Sequence, residues 1–149
     1  MRCVIQRVTD ASVSVDGQVV SRIGQGLVAL IGVAKDDGPA DIDYVASKIR
    51  GLRVFEDEQG KMNRSIAEAG GAVLAVSQVT LLGDVRRGNR PGLDQAAPVP
   101  LARTVYEAVV AALRSGGLAV HTGVFQADMA LALTNDGPVT ILIDSRRTF

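Results

Sequence analysis

The sequence predicts an α+β fold: one domain, a largely antiparallel β-sheet or partial barrel, and two main helices packed against it. Three observations lead there. The first third consists of short β-branched runs separated by turn residues, two later segments repeat apolar residues at helical spacing, and the last third returns to strands. No internal repeat or linker divides the 149 residues, a length at which one core suffices without a metal or disulfide.

Met1–Val8 and Ser12–Val15 read as strands, and Asp16-Gly17 supplies a hairpin turn into Gln18–Ile23. After a turn at Gly24-Gln25-Gly26, the nearly all-apolar Leu27–Val33 belongs at the centre of the sheet. The first helix opens at Lys35-Asp36-Asp37-Gly38-Pro39, where acidic residues suit the positive helix end and Pro39 an early position. Ile42, Val45, Ile49 and Leu52 give it one apolar face. Arg53–Phe55 predicts a short strand, Glu56–Lys61 a charged loop, and Ala72–Val76 a strand that delivers Ser77-Gln78-Val79-Thr80 at its end. A loop over Leu81–Ala97 precedes the second helix, Pro98–Ser115, whose face is Leu101, Val105, Tyr106, Val109, Val110 and Leu113 and which Gly116-Gly117 ends. Strands are then expected at Leu118–Thr122, Met129–Thr134 and Val139–Asp144, joined by loops at 122–128 and at Asn135-Asp136-Gly137-Pro138.

Composition narrows the function classes. Sixteen basic and sixteen acidic residues cancel, which argues against long-duplex binding but permits a small local patch. Cys3 is the only cysteine and reads as a small buried hydrophobe; the reducing cytoplasm is the expected compartment. No run approaches about 20 apolar residues, so neither a signal peptide nor a membrane span is expected. One cysteine and one histidine leave little for a zinc site, and no metal or cofactor is expected.

Two polar segments stand out against the apolar strands. Ser77-Gln78-Val79-Thr80 is either a strand end whose groups satisfy one another or, if the strand stops there, a place where hydroxyls, amide and N–H groups converge on a carbonyl. Asn135-Asp136-Gly137-Pro138 has the composition of a turn, with Asp136 as its cap, and Gly-Pro permits a cis peptide without requiring one. His121 alternates with apolar neighbours and reads as a packed or surface residue, although a Ser-His-Asp triad would require it. Arg86, Arg87 and Arg90, and separately Arg146 and Arg147, are basic clusters that read as solvated surface or as RNA contacts.

In order along the chain, Val4-Ile5-Gln6-Arg7-Val8, Arg53-Val54-Phe55, Gly60-Lys61-Met62-Asn63, Ser77-Gln78-Val79-Thr80-Leu81, Thr122-Gly123-Val124-Phe125-Gln126-Ala127-Asp128-Met129 and Asn135-Asp136-Gly137-Pro138-Val139-Thr140 resemble the D-aminoacyl-tRNA deacylase family. The resemblance implies hydrolysis of the ester between a D-amino acid and the tRNA 3′ end, extending to glycyl-tRNA and rejecting L substrates. It implies a homodimer with active sites at the subunit interface. Ser77, Gln78 and Thr80 fall at the catalytic positions of one subunit, and Gly137-Pro138, as a cis pair, enters the pocket of the other. The resemblance also places Arg7, which helps to secure that loop, and Asn135 within it among the substrate-binding positions, together with Val79, Ala102, Phe125 and Met129. Two departures occur: Val79 stands where the family usually has Phe, and Gly92-Leu93 where Ser-Phe is common. A small serine or threonine esterase and a non-catalytic dimeric RNA-end binder remain the alternatives.

Overall fold

The chain opens with one long strand where the sequence predicts two: β1 runs through Arg2–Val15 in this computed structural model, which describes residues 1–149. Val8, Ala11 and Val13 all enter the core, so the strand continues across Thr9 and Asp10, which stay exposed while the ladder absorbs a local irregularity. Asp16 and Gly17 both hold positive φ, 50° and 76°, and reverse the chain into β2 (Gln18–Ile23). Gly24 and Gln25 then redirect it without reversing it. Both β2 and β3 (Gly26–Gly32) run antiparallel to β1, with registers from Val15↔Gln18 to Arg2↔Gly32.

Helix α1 (Pro39–Gly51) starts where expected, with the Gly38 N–H donating to Asp41 Oδ2 at 2.9 Å. Asp37 does not serve the helix end as expected. It is buried, paired with the Met1 ammonium at 2.7 Å, and accepts the Ala34 N–H at 2.6 Å. Strands β4 (Phe55–Glu56) and β5 (Met62–Arg64) form a separate small ladder, the first starting two residues later and ending one residue later than predicted. A single helical turn, α2 (Ile66–Ala69), follows. No apolar periodicity announces it, but Ser65 and Glu68 form a reciprocal capping box, at 3.3 and 3.1 Å.

Next come β6 (Ala72–Ser77), a 3₁₀ turn at Val79–Leu82, α3 (Val99–Ser115), β7 (Ala119–Thr122) and β8 (Ala130–Asp144). The strands predicted at Met129–Thr134 and Val139–Asp144 are thus one strand, and Asn135–Pro138 does not reverse the chain. Against β1, Asn135 sits opposite Val8 and Thr140 opposite Gln6, so Asp136 to Val139 bulge out opposite Arg7 alone. The sheet is mixed: β1 is antiparallel to β2, β3 and β8, whereas β3–β6 and β6–β7 are parallel. Each parallel pair is bridged by a connection containing a long helix, as parallel pairing requires.

Apolar side chains fill both faces of this sheet. On one, Ile5, Leu27, Ile31 and Val73 meet Val45 and Ile49 of α1 and Val105, Val109 and Leu113 of α3. On the other the sheet curls on itself, with Val8, Val13, Val28, Leu74 and Val76 against Leu131 and Leu133. The Ser21 hydroxyl donates to the Thr122 carbonyl and draws β2 toward β7, nearly closing the barrel. Ile49 is fully buried between α1 and the rest of the core. Ile49→Ala is therefore expected to cost about 3 kcal/mol, read in denaturant unfolding as a lower midpoint at unchanged slope.

Candidate active site

Strand β6 stops at Ser77 because the next residue leaves the ladder. Gln78 donates its backbone N–H to the Ile31 carbonyl at 2.8 Å, and the chain then tightens into the 3₁₀ turn, with the Leu81 N–H on the Gln78 carbonyl at 3.3 Å. A turn begun this way leaves its first N–H groups, those of Val79 and Thr80, without backbone acceptors. The Gln78 side-chain amide donates to the Thr80 hydroxyl at 2.5 Å, and the Ser77 hydroxyl makes no hydrogen bond within the chain. The strand thus ends at Ser77, as either reading of this segment allows: Gln78 and Thr80 satisfy each other while the Ser77 hydroxyl stays free.

Beside it lies a cavity of about 470 Å³. Ser77, Gln78 and Val79 form one edge, Ala102 from the first turn of α3 another, and Phe125 and Met129 from the loop after β7 a third. Val33, Ala97 and Leu131 complete an apolar wall that sequence reasoning did not assign, because they approach from three separate elements. Phe125 is held in place: the Arg103 guanidinium lies 4.5 Å from its ring centre and the Tyr106 ring 5.9 Å away. The Tyr106 hydroxyl is anchored on the Ala75 carbonyl at 2.9 Å, and burial pushes it up to about 12. Val79 is 47% exposed at the cavity edge, so the loss of the usual Phe alters the wall of the cavity and leaves the core untouched.

The remaining site residues gather elsewhere. Arg7 is buried, donates Nη1 to the Val54 carbonyl at 2.6 Å, and places Nε 3.1 Å from Asp136 Oδ2 without aiming its N–H at that oxygen. Asp136 is therefore an ion-pair partner of Arg7, where the sequence reading made it a turn cap. Asn135 closes the bulge, its Nδ2 donating to the carbonyls of Arg7 at 2.9 Å and Val139 at 3.0 Å. The Gly137-Pro138 peptide is cis and both residues are exposed. Within the chain, then, Ser77, Gln78, Val79, Ala102, Phe125 and Met129 share a cavity, and Thr80 reaches it through Gln78. Arg7, Asn135, Gly137 and Pro138 form a second cluster that does not line that cavity.

His121 is exposed on β7 opposite Leu74 and bonds to neither Ser77 nor Thr80, so no imidazole activates either hydroxyl. Cys3 is buried and its thiol is pushed up to about 12, chiefly by desolvation, which removes it as a nucleophile. No helix is long and apolar enough to cross a membrane.

Fold and cavity define a class: a small α+β barrel with an apolar pocket edged by a free hydroxyl and a side-chain amide, and a strand bulge carrying an exposed Gly-Pro. A family model described as D-Tyr-tRNA(Tyr) deacylase matches residues 4–144, and the chain belongs to that family. It is 60% identical to the D-aminoacyl-tRNA deacylase of Anaeromyxobacter dehalogenans (strain 2CP-C), covering all of both chains. To the protein of the same name from Symbiobacterium thermophilum it is 61% identical, covering all of this chain and 99% of that one. Among solved structures, one titled c-Myc DNA Unwinding Element Binding Protein superposes with a TM-score of 0.91 at 39% identity, covering 97% of this chain and 98% of that one. A probable eukaryotic D-amino acid tRNA deacylase shares the fold, with a TM-score of 0.79 at 18% identity over 95% of this chain and 97% of that one.

Proposed function

We propose that the protein hydrolyses the ester joining a D-amino acid to the terminal adenosine of tRNA. The observation that carries this is the convergence of Ser77, Gln78, Val79, Ala102, Phe125 and Met129 on one cavity, in a chain related over its whole length to named deacylases. The aminoacyl-adenosine end enters against Ala102, Phe125 and Met129. The Ser77 hydroxyl and the Val79 N–H, which lacks a backbone acceptor, polarise the ester carbonyl; the Gln78 N–H is committed to Ile31 and takes no part. Thr80, held by the Gln78 amide, positions the ester and does not attack it, because its hydroxyl hydrogen-bonds to no carboxylate or imidazole that could take its proton. The ribose 2′-hydroxyl helps activate water. Water adds to the carbonyl carbon, the bond to the ribose oxygen breaks, and the D-amino acid and tRNA leave.

The protein works as a homodimer in the cytoplasm, with Gly137 and Pro138 of each protomer entering the cavity of the other. Their exposure, their absence from their own protomer's cavity, the unpaired edge of the 15-residue β8 and a Leu142 that is 60% exposed support this assembly. The Gly137-Pro138 carbonyls stand where an L side chain would project, so selection proceeds by exclusion: D residues of several kinds and glycine are accepted, and L residues are not.

Purified protein is expected to deacylate D-tyrosyl-tRNA and glycyl-tRNA, to leave L-tyrosyl-tRNA charged, and to be indifferent to chelators. Intact D-tyrosyl-tRNA, under conditions where the ester itself is stable, would overturn the reading, as would an active monomer. Ser77→Ala is expected to lower kcat by about a hundredfold, the effect of losing one oxyanion donor. A covalent adduct at Ser77 or Thr80, or full activity on a 2′-deoxy terminal adenosine, would indicate a hydroxyl-nucleophile esterase instead.

A further inference from the structure

The segment between the 3₁₀ turn and α3 leaves one wall of the cavity and returns to another. It departs after Ser77–Val79 and comes back at Ala97 and Val99, all of which line the cavity. Its base is fixed. Asp84 and Gly92 exchange backbone hydrogen bonds at 2.8 and 2.9 Å, Lys35 donates its N–H to Gln95 at 3.0 Å, and Ala97 donates to Val33 at 2.9 Å. Residues 85–91 stand exposed above that base.

In a chain of zero net charge, this short loop carries Arg86, Arg87 and Arg90, and the three are not equivalent. Arg86 is engaged: Nε and Nη2 donate to the two oxygens of Asp84 at 2.9 and 2.6 Å, which holds that carboxyl well below the usual range. The pair is neutral as a unit and shapes the loop. Arg87 and Arg90 make no hydrogen bond or ion pair within the chain, and face an open hollow of about 530 Å³ with no apolar side chain in its lining. Asp94 is the one other carboxylate on that hollow, and Arg2, bonded to the Leu81 carbonyl at 3.1 Å, adds positive charge at the foot of the loop.

We infer that Arg87 and Arg90 bind backbone phosphates at the acceptor end of the tRNA while the terminal adenosine occupies the cavity; this rests on the function proposed above. A hollow without apolar or aromatic walls suits phosphate and ribose and offers no surface for stacking a base. The guanidinium fork pairs with phosphate oxygens, and such contacts position an RNA without reading its sequence. An enzyme that clears many tRNAs would be served by a grip of this kind.

The test compares the wild-type protein with the double variants Arg87→Gln/Arg90→Gln and Arg87→Lys/Arg90→Lys on D-tyrosyl-tRNA and on D-tyrosyl-adenosine, which has no phosphate. On tRNA the Gln pair is expected to raise KM on the order of tenfold, and to flatten the dependence of log kcat/KM on log salt by about 1.4 to 1.8, the share of two phosphates. Values on D-tyrosyl-adenosine should stay within about twofold, and the Lys pair should retain most of the salt dependence. Unchanged KM and salt slope on tRNA, or an equal loss on both substrates, overturns the inference while leaving the deacylase reading intact. Wild-type protein that cleaves neither substrate overturns both.

Discussion

Gly137→Ala is expected to lower kcat/KM on D-aminoacyl-tRNA by about a hundredfold or more, with the fold preserved. Gly137 holds φ at +116°, a conformation that L residues rarely adopt, and a Cβ there would lie 2.8 Å from Val139 Cγ2 and 3.1 Å from Arg7 Nη2. Neither neighbour can give way freely: Val139 is tied through its carbonyl to Asn135, and Arg7 is buried against Val54. The bulge itself must move, and with it the carbonyls proposed to face the partner's cavity. Displacement by about 1 Å is enough for a loss of that size. The stability cost is smaller, about 1–3 kcal/mol, because the bulge lies on the surface and no core side chain need shift. Single-turnover kinetics beside thermal unfolding separates the two effects. A variant as active as the parent would show that Gly137 does not shape the site.

The helices were legible because their signal is local. Ile42, Val45 and Ile49, and Val105, Val109 and Leu113, repeat at the helical period, and both helices lie within a residue or so of where that period puts them. The bulge was not legible, because Asn135-Asp136-Gly137-Pro138 has the same composition whether the chain reverses or swells. What decides is tertiary: Leu133 on one side and Ile141 and Ile143 on the other all pack against the core beside β1, so the strand must continue in one direction and expel its surplus residues opposite Arg7. The roles of Asp37 and Asp136 escape a local reading for a related reason. Each has a plausible local role, yet their partners, the Met1 ammonium and Arg7, are distant in sequence. The parallel pairing of β3, β6 and β7 leaves no mark in any one strand: β3 and β6, buried on both faces, are simply apolar, and the four-residue edge strand β7 shows no direction of its own.

The site shows the same division. Composition alone left Ser77 to Thr80 as a polar strand end and Gly137-Pro138 as a turn, and the ordered family resemblance supplied their roles. The structure adds what neither carried. Gln78 has its backbone N–H committed to Ile31, the free donors of the turn belong to Val79 and Thr80, and Leu93 is 42% exposed at the departure from Ser-Phe, where no core packing depends on it.

Arg7→Met should have the second large effect, and it should act on activity more than on stability. Arg7 is 6% exposed and fills a buried position, so methionine keeps most of the packing while removing the charge and its donors. The Val54 carbonyl then loses its donor, at a cost of about 1–3 kcal/mol. Asp136 adds little to that loss, since its side chain is 43% exposed and water replaces the lost pair. A net destabilisation of about 2 kcal/mol follows, measurable by urea unfolding. Activity depends instead on the bulge, which loses the guanidinium against which Gly137 and Asp136 rest, so kcat/KM on the D substrate should fall by about a hundredfold at a temperature where the variant is fully folded. Asp136→Asn keeps Arg7 and its bond to Val54, and should cost only a few tenths of a kcal/mol and severalfold in rate, about tenfold at most. If folded Arg7→Met protein matched the parent in rate, the bulge would be holding its shape through Asn135 alone, whose amide already clamps the Arg7 and Val139 carbonyls. In that case Asn135→Ala, and not Arg7→Met, would carry the hundredfold loss.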